Sequence, residues 1–386
     1  MTGSTGDTHG DTHRRPDEGA ARPAALRSTE SALCNLYDLA VVDLDGTVYV
    51  GRDPVPGAVQ ALADLRARHG RVAFVTNNAS RTPEEVAEQL SALGVAAGPD
   101  DVVTSAQAAA RLLADRFPAG SPVLVVGGAG LRSALDAVGL VPVASLAAGP
   151  VAVVQGWTPE LDWSLLAEGA YALQTGLPWI ATNTDRTLPT DRGTAPGNGS
   201  FVTLLAGVVR REPEVVAGKP GVALLRQTAA RFGARAPLVV GDRLDTDIEG
   251  AVAAGMDSLL VLTGVSTAVD LLAAGPRARP TYVASGLAGL FEPQPTAAVE
   301  GGTYRVRGAA VTLERRAGPG AAVLDLPGDA GPGDSVPAAD WLDLVRAATS
   351  AAWAGQDAGL TVEPTRRLLA LLDSAPSTAG SAQEGP

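Results

Sequence analysis

A chain of 386 residues with an apolar share of 46% can bury an enzyme-sized core of more than one domain, and with aromatics at only 4% that core must be aliphatic and rich in Ala and Gly. A net charge of −12 and a pI near 4.8 exclude a nucleic-acid scaffold, because phosphate backbones require clustered cations. The single cysteine, Cys34, excludes an internal disulfide framework and reads as a structural thiol, so the cytoplasm is the default compartment.

Residues 1–34 carry no apolar run of signal-peptide type and read as a disordered, solvated tail. No uninterrupted apolar stretch elsewhere is long enough to span a bilayer, so no membrane partner is expected. Residues 39–44 form a short aliphatic run ending in Asp-Gly-Thr, the pattern of a buried parallel strand that stops at a loop. A helix over 57–68 and a strand over 72–75 follow. Next comes a helix over 82–93, with Thr82 as N-cap, Pro83 in the first turn and Glu85 completing a capping box. This βαβα order predicts a doubly wound sheet. Val123 to Val126 runs into Gly127, Gly128 and Gly130, but the spacing of a dinucleotide fingerprint is absent, which favours a plain strand-to-helix turn. The alternation continues with a strand at 151–154, a helix at 163–175, a strand at 179–182, a Pro/Gly-rich loop at 188–199 and a helix at 200–209. A helix at 222–232, a strand at 238–240, a helix at 247–254 and a strand at 258–262 complete the core, which ends near residue 290. Beyond it, a hairpin over 304–313 and 322–326 and helices over 338–353 and 364–372 make a small appendage.

Three strand ends carry chemistry. In Val41-Val42-Asp43-Leu44-Asp45-Gly46-Thr47 two carboxylates leave one face of a buried strand at its carboxyl end, where open α/β sheets bind ligands, although acids there also cap turns. The next strand delivers Thr76, Asn77 and Asn78, which suit a phosphate oxygen and equally suit a turn. Gly241-Asp242-Arg243-Leu244-Asp245-Thr246-Asp247 adds three acids, a hard-cation ligand set in which Asp247 also reads as a helix N-cap. Of 30 cationic residues 29 are Arg, and the lone lysine, Lys219, stands where a compact ammonium is retained by chance or by need.

Jointly, the acid pair, Thr76-Asn77, Lys219 ahead of a helix, and Gly241-Asp242 with Asp247 beyond resemble the haloacid dehalogenase superfamily over residues 37–290. The large insertion between the Thr and Lys motifs, with Asp43 to Tyr49 and Gly241 to Ile248, is similar to subfamily IIA, the NagD and 4-nitrophenylphosphatase group. The resemblance implies an α/β fold: a doubly wound, Rossmann-like parallel-sheet core over 35–105 and 206–292, an inserted α/β cap over 106–205, and a small C-terminal α+β appendage over 293–375 before a disordered tail at 376–386. It further implies a Mg2+-dependent phosphatase that hydrolyses a small phosphomonoester through an aspartyl-phosphate. Asp43 would be the nucleophile, Asp45 the general acid and base, Thr76 and Asn77 the phosphate-binding loop, and Lys219 the neutralising cation. The metal ligands would be Asp242, Asp43 and the Asp45 carbonyl, with Asp247 supporting metal or lysine.

Those roles are chemically coherent. A carboxylate attacking phosphorus needs a divalent metal and an ammonium to offset charge, and Asp45 can protonate a leaving alkoxide and then deprotonate water. Gly218-Lys219-Pro220 lacks the upstream Gly and following Ser/Thr of a P-loop, and no histidine lies in a motif. In the cap, many relatives carry Gly-x-Asp where this chain reads Gln155-Gly156-Trp157, which argues against a nucleotide preference. Trp157, Asn183, Asp185 and Asn198 are the substrate-facing candidates, in a pattern similar to actinobacterial glycerol 3-phosphate phosphatases. The partner expected is a small phosphorylated metabolite under a hinged cap that closes over the strand ends, and a homo-oligomer is compatible with the sequence. Alternatives are another small substrate (phosphoglycolate, a nucleoside monophosphate, a sugar phosphate), a phosphotransferase or a dehalogenase on the same fold, of which Asp45 disfavours the dehalogenase, and a regulatory binding protein retaining the site.

Overall fold

The computed structural model describes residues 25–68, 70–190, 192–316, 320–327 and 338–374. The core is a six-stranded sheet in the order Tyr282–Ala284, Asp257–Val261, Pro237–Gly241, Leu39–Asp43, Val72–Thr76, Val102–Thr104, with every neighbouring pair parallel. The chain starts in the middle and works outward to both edges, so the carboxyl end of Leu39–Asp43 is the switch point at which such sheets open a crevice. All five residues of that strand are buried, as expected of a strand covered on both faces. The helix Pro83–Ala92 begins with the predicted capping box: Glu85 N–H donates to Thr82 Oγ1 at 3.3 Å and Thr82 N–H to Glu85 Oε2 at 2.8 Å.

The inserted cap is a five-stranded parallel sheet, ordered Val215–Val216, Trp179–Ala181, Ala152–Gln155, Pro122–Val126, Val141–Val143. It therefore runs past the boundary drawn at residue 205, and the helix Ser105–Ala114 ahead of it belongs to both units. Four of that helix's alanines, Ala106, Ala108, Ala109 and Ala110, are buried in one apolar cluster with Val75 and Leu224 of the core and Val123, Val125 and Ile180 of the cap. Alanine lets the layers approach closely, and the shared cluster seats the cap against the core in this conformation. Of the three glycines after Val126, Gly130 serves the same seat: a Cβ there would lie 2.6 Å from the Arg81 carbonyl oxygen of the core.

Other expectations are corrected. The Pro/Gly-rich segment placed as a loop at 188–199 is an antiparallel hairpin, Thr187–Thr190 with Gly193–Pro196. The stretch expected as a helix from 247 starts earlier, as a wide turn over Leu244–Ile248 in which Ile248 N–H reaches the Arg243 carbonyl five residues back at 3.2 Å, so Asp247 is no N-cap. The tail expected over 1–34 lies outside the described residues to position 24, but beyond it Arg27 N–H donates to Thr281 O at 3.0 Å, and Leu26 and Leu33 are buried. Histidines 9, 13 and 69 and the tail at 376–386 also lie outside the described residues.

The appendage is more than a hairpin. It is a five-stranded sheet, Ala298–Glu300, Thr303–Val306, Ala309–Arg315, Ala321–Asp325 and Thr361–Pro364, backed by the helices Ala338–Asp357 and Arg366–Asp373. Buried Arg346 fastens it to the core: its Nη2 donates to Val283 O and Gln294 Oε1, each at 3.0 Å, and its Nη1 to Asp343 Oδ1 at 2.9 Å. Removing one member of a buried ionic group leaves its partners desolvated and unmatched, so Arg346→Met is expected to cost about 3 kcal/mol of stability in urea unfolding. A loss under about 1 kcal/mol would mean that apolar contact alone holds the appendage.

Candidate active site

The first strand carries Asp43 to the switch point, and its carboxylate meets the Lys219 ammonium in a direct ion pair. Lys219 Nζ also lies 2.6 Å from Asp247 Oδ1, and the lysine is only 2% exposed. Burial alone would lower the lysine's pKa, but the Asp247 and Asp43 carboxylates overcome that, and the ammonium is held above its ordinary range. Asn77 fixes the lysine from the neighbouring strand end. Lys219 N–H donates to Asn77 Oδ1 at 2.8 Å, and Asn77 Nδ2 donates to Lys219 O at 2.9 Å. Gly218 is required at this join, since a Cβ there would lie 2.5 Å from Asn77 Oδ1.

Carboxylate oxygens of Asp43, Asp242 and Asp247 all lie within 4.8 Å of one another, and all three residues are buried. Three buried carboxylates against one ammonium leave an excess of two negative charges, the complement of a divalent cation. Asp242 Oδ1 is buried without a hydrogen-bond partner, while its Oδ2 accepts Val265 N–H at 2.6 Å. Two glycines clear the space: Cβ atoms on Gly264 and Gly46 would fall 2.0 and 2.4 Å from Asp242 Oδ2. An all-oxygen donor set, an orphaned acceptor and a glycine cradle fit a hard divalent ion such as magnesium. Burial pushes the Asp242 carboxyl up to about 6, with the Asp247 charge adding to it, and burial pushes Asp43 up despite Lys219.

Asp45 presents its carboxylate to the solvent of the cleft while protein surrounds it on the other sides. Burial pushes its carboxyl up against the opposing charges of Arg81 and Lys219, a direction that favours a group able to hold and give a proton. Its side chain stands outside the three-carboxylate group, so any metal contact of Asp45 falls to its backbone carbonyl.

Above these groups lies a cavity of about 370 Å³ lined by Asp43, Asp45, Thr76, Asn77 and Lys219 below and by Trp157, Asn183, Asp185 and Asn198 of the cap above. The cap residues are tied to the core through Asn77: its carbonyl accepts from Asn183 Nδ2 and from Ser105 Oγ, both at 2.6 Å, and its Nδ2 donates to Asp185 Oδ2 at 3.1 Å. The Asn77 side chain thus holds both Lys219 and the cap. Asn198 Nδ2 donates to Asn183 O at 2.7 Å, and its buried Oδ1 has no partner. Arg243 and the loop Thr263-Gly264-Val265 also line the cavity and were missed in the sequence. Arg243 grips Asp245 with two hydrogen bonds, at 3.0 and 2.8 Å. The available signal for the loop was its place: another Gly-containing turn at the carboxyl end of a core strand, Asp257–Val261.

A family model described as haloacid dehalogenase-like hydrolase matches residues 40–141, and one described as HAD-hydrolase-like matches residues 216–290. The chain is 46% identical over 333 residues to a D-glycerol 3-phosphate phosphatase of Mycobacterium tuberculosis, covering 86% of this chain and 90% of that protein. A crystal structure of a glycerol phosphate phosphatase from Mycobacterium tuberculosis in complex with magnesium superposes with a TM-score of 0.76 at 44% identity, covering 89% of this chain and 98% of the other. A p-nitrophenyl phosphatase from Archaeoglobus fulgidus has a TM-score of 0.61 at 30% identity and covers 66% of this chain and 98% of its own.

Two outcomes test the cation site. Below about pH 6 the Asp242 carboxyl carries a proton that a cation must displace; in the metal-free protein the same raised value makes this group's contribution to stability fall as pH rises from 3.8 to about 6, since the unfolded chain loses the proton first. Magnesium should therefore raise Tm more at about pH 7.5 than at about pH 5, and an equal shift at both would remove Asp242 from the ligand set. Gly264→Ala, which drives a methyl into Asp242, should abolish most of the magnesium-induced rise in Tm at either pH.

Proposed function

Because the chain belongs to the haloacid dehalogenase-like hydrolases, we propose that it is a magnesium-dependent phosphatase of small polyol phosphates, with glycerol 3-phosphate as its substrate. The observation that carries this reading is the buried group of Asp43, Asp242, Asp247 and Lys219 at the floor of a roofed cavity too small for a folded protein or a polymer. Asp43 attacks phosphorus with a carboxylate oxygen; the bond to the leaving oxygen breaks, and Asp45 gives that oxygen its proton. Asp45, now ionised, takes a proton from water, whose oxygen attacks the phosphorus of the aspartyl-phosphate, releasing inorganic phosphate and restoring Asp43. Lys219 neutralises the charge that gathers on Asp43 and the phosphoryl oxygens. A divalent cation held by Asp43, Asp242 and the Asp45 carbonyl, with Asp247 supporting it and Lys219, would supply further charge neutralisation. Thr76, at the adjacent strand end, is the side chain of its loop left to meet phosphate, its Oγ1 already receiving Asn78 N–H at 3.0 Å.

The polyol preference is supported by the cap. The unpartnered Asn198 Oδ1 is an acceptor for a substrate hydroxyl, and Asp185, whose carboxyl burial pushes up, adds another polar group on the same wall. Trp157 supplies an apolar face. The 46% identity to a D-glycerol 3-phosphate phosphatase supports the same choice.

Asp43→Asn, which keeps shape and removes the nucleophile, should abolish turnover of glycerol 3-phosphate while the protein stays folded; substantial remaining activity would sink the assignment. Lys219→Arg should lower kcat/KM more than about tenfold, roughly 1.4 kcal/mol, since a planar fork cannot occupy the space of a compact ammonium between two carboxylates. Asn198→Leu should lower kcat/KM for glycerol 3-phosphate about tenfold but leave 4-nitrophenyl phosphate, which offers no hydroxyl, within about twofold. An equal loss on both substrates would reject the hydroxyl contact.

A further inference from the structure

We infer that the C-terminal appendage is a positioning device for the cation site, acting through the C-terminal end of the helix Ala268–Ala273; the inference rests on reading Asp242 as a cation ligand. The loop ahead of this helix touches that ligand directly. Val265 N–H donates to Asp242 Oδ2 at 2.6 Å, Ser266 N–H to Asp242 O at 3.1 Å, and Gly264 lies flat against the carboxylate. The same loop reaches the other motifs, with Ser266 Oγ accepting Leu244 N–H at 3.0 Å and Thr263 Oγ1 donating to Gly46 O at 2.6 Å.

Six residues make a helix too short to hold itself, because nucleation is unfavourable and the last turn leaves its carbonyls without partners. Its own sequence caps the first turn through Thr267 and Asp270 and gives the other end a single backbone bond, Ala274 N–H to Leu271 O at 3.2 Å. Donors bound to or belonging to the appendage supply the rest of that end. Trp353 Nε1 donates to Leu271 O at 3.0 Å, Gln356 Nε2 to Leu272 O at 2.8 Å, and Arg279 Nε to Ala274 O at 3.3 Å. Arg279 is locked in turn. Its guanidinium lies 5.0 Å from the Trp353 ring centroid and donates to Gln356 Oε1 at 3.0 Å and Asp357 Oδ2 at 2.8 Å. Leu244 and Ile248, which flank the turn carrying Asp247, belong to the same apolar cluster as Trp341, Val345 and Trp353. Both segments that bear on the cation site therefore rest on the appendage.

The test uses the full chain and three variants: Trp353→Phe, which keeps an aromatic ring but loses the N–H; Trp353→Phe with Gln356→Leu; and Trp341→Phe. The last removes an indole N–H of the same kind, donated at 3.1 Å to Leu371 O inside the appendage. Magnesium affinity is read by titration calorimetry and the melting temperature of the metal-free protein by scanning calorimetry. The positioning role requires magnesium affinity to fall at least about threefold in Trp353→Phe and further in the double variant, but to stay within about 1.5-fold in Trp341→Phe, whatever each does to the melting temperature. Lowered melting with unchanged affinity in the Trp353 variants would reduce the appendage to a structural element and overturn the inference. If the double variant fails to fold, the comparison of the two single variants decides alone. Asp242→Asn separates the two claims: magnesium affinity unaffected by it would mean that the reading of the cation site had failed, whereas a loss there with none at Trp353 would mean that only the positioning role had.

Discussion

One buried ammonium holds the site together. Asp43, Asp242 and Asp247 would repel one another in a desolvated space, and Lys219, in contact with two of them, is the cation among the described residues that makes their proximity tolerable. Its position is set through the main chain: Asn77 grips both the N–H and the carbonyl of Lys219, so the lysine is registered to the strand that lies beside Asp43. The remaining excess of negative charge is what a divalent cation offsets. The compensation would thus be divided between the fixed charge of Lys219 and that of the cation.

Much of this was legible because strand ends announce themselves. Aliphatic runs broken by Asp43-Leu44-Asp45-Gly46, Thr76-Asn77 and Gly241-Asp242 located three strand ends of the site, and the alternation of strand and helix predicted the doubly wound sheet in which the fold sets them side by side. What stayed hidden depends on tertiary contact. Asn77 was legible as part of the phosphate-binding loop, but only the folded chain shows that its side-chain amide holds Lys219 and Asp185. Residues 188–199 looked like a loop because Pro and Gly mask a two-strand ribbon whose pairing is purely cross-strand. The glycines at 46 and 264 carry no local signal for their task, which is to leave room for a carboxylate brought from elsewhere in the sequence.

The alanine-rich helix Ser105–Ala114 is a second constraint of this kind. A composition high in Ala says little about a fold, but here small side chains let core and cap share one apolar cluster. In this arrangement the cap residues that line the cavity are held relative to the strand ends by short polar links, Asn183 to Asn77 and Asn198 to Asn183. Polar groups already linked in this way cost less ordering on binding than groups that must first be brought together.

The cavity wall continues into a short ribbon. The hairpin Thr187–Thr190 with Gly193–Pro196 forms its own two-stranded sheet beside the cap sheet, and Thr187 and Leu188 line the cavity. Its inner end is fastened, since Gly197 N–H donates to Arg186 O at 2.9 Å and Gly199 N–H to Asp185 O at 2.8 Å, while close approach at Gly197 and Gly199 leaves no room for a side chain. The links at the root of the ribbon, with the Asn198 to Asn183 bond, therefore set Asp185 and Asn198 on the cavity wall through contacts that do not depend on the ribbon's own cross-strand pairing.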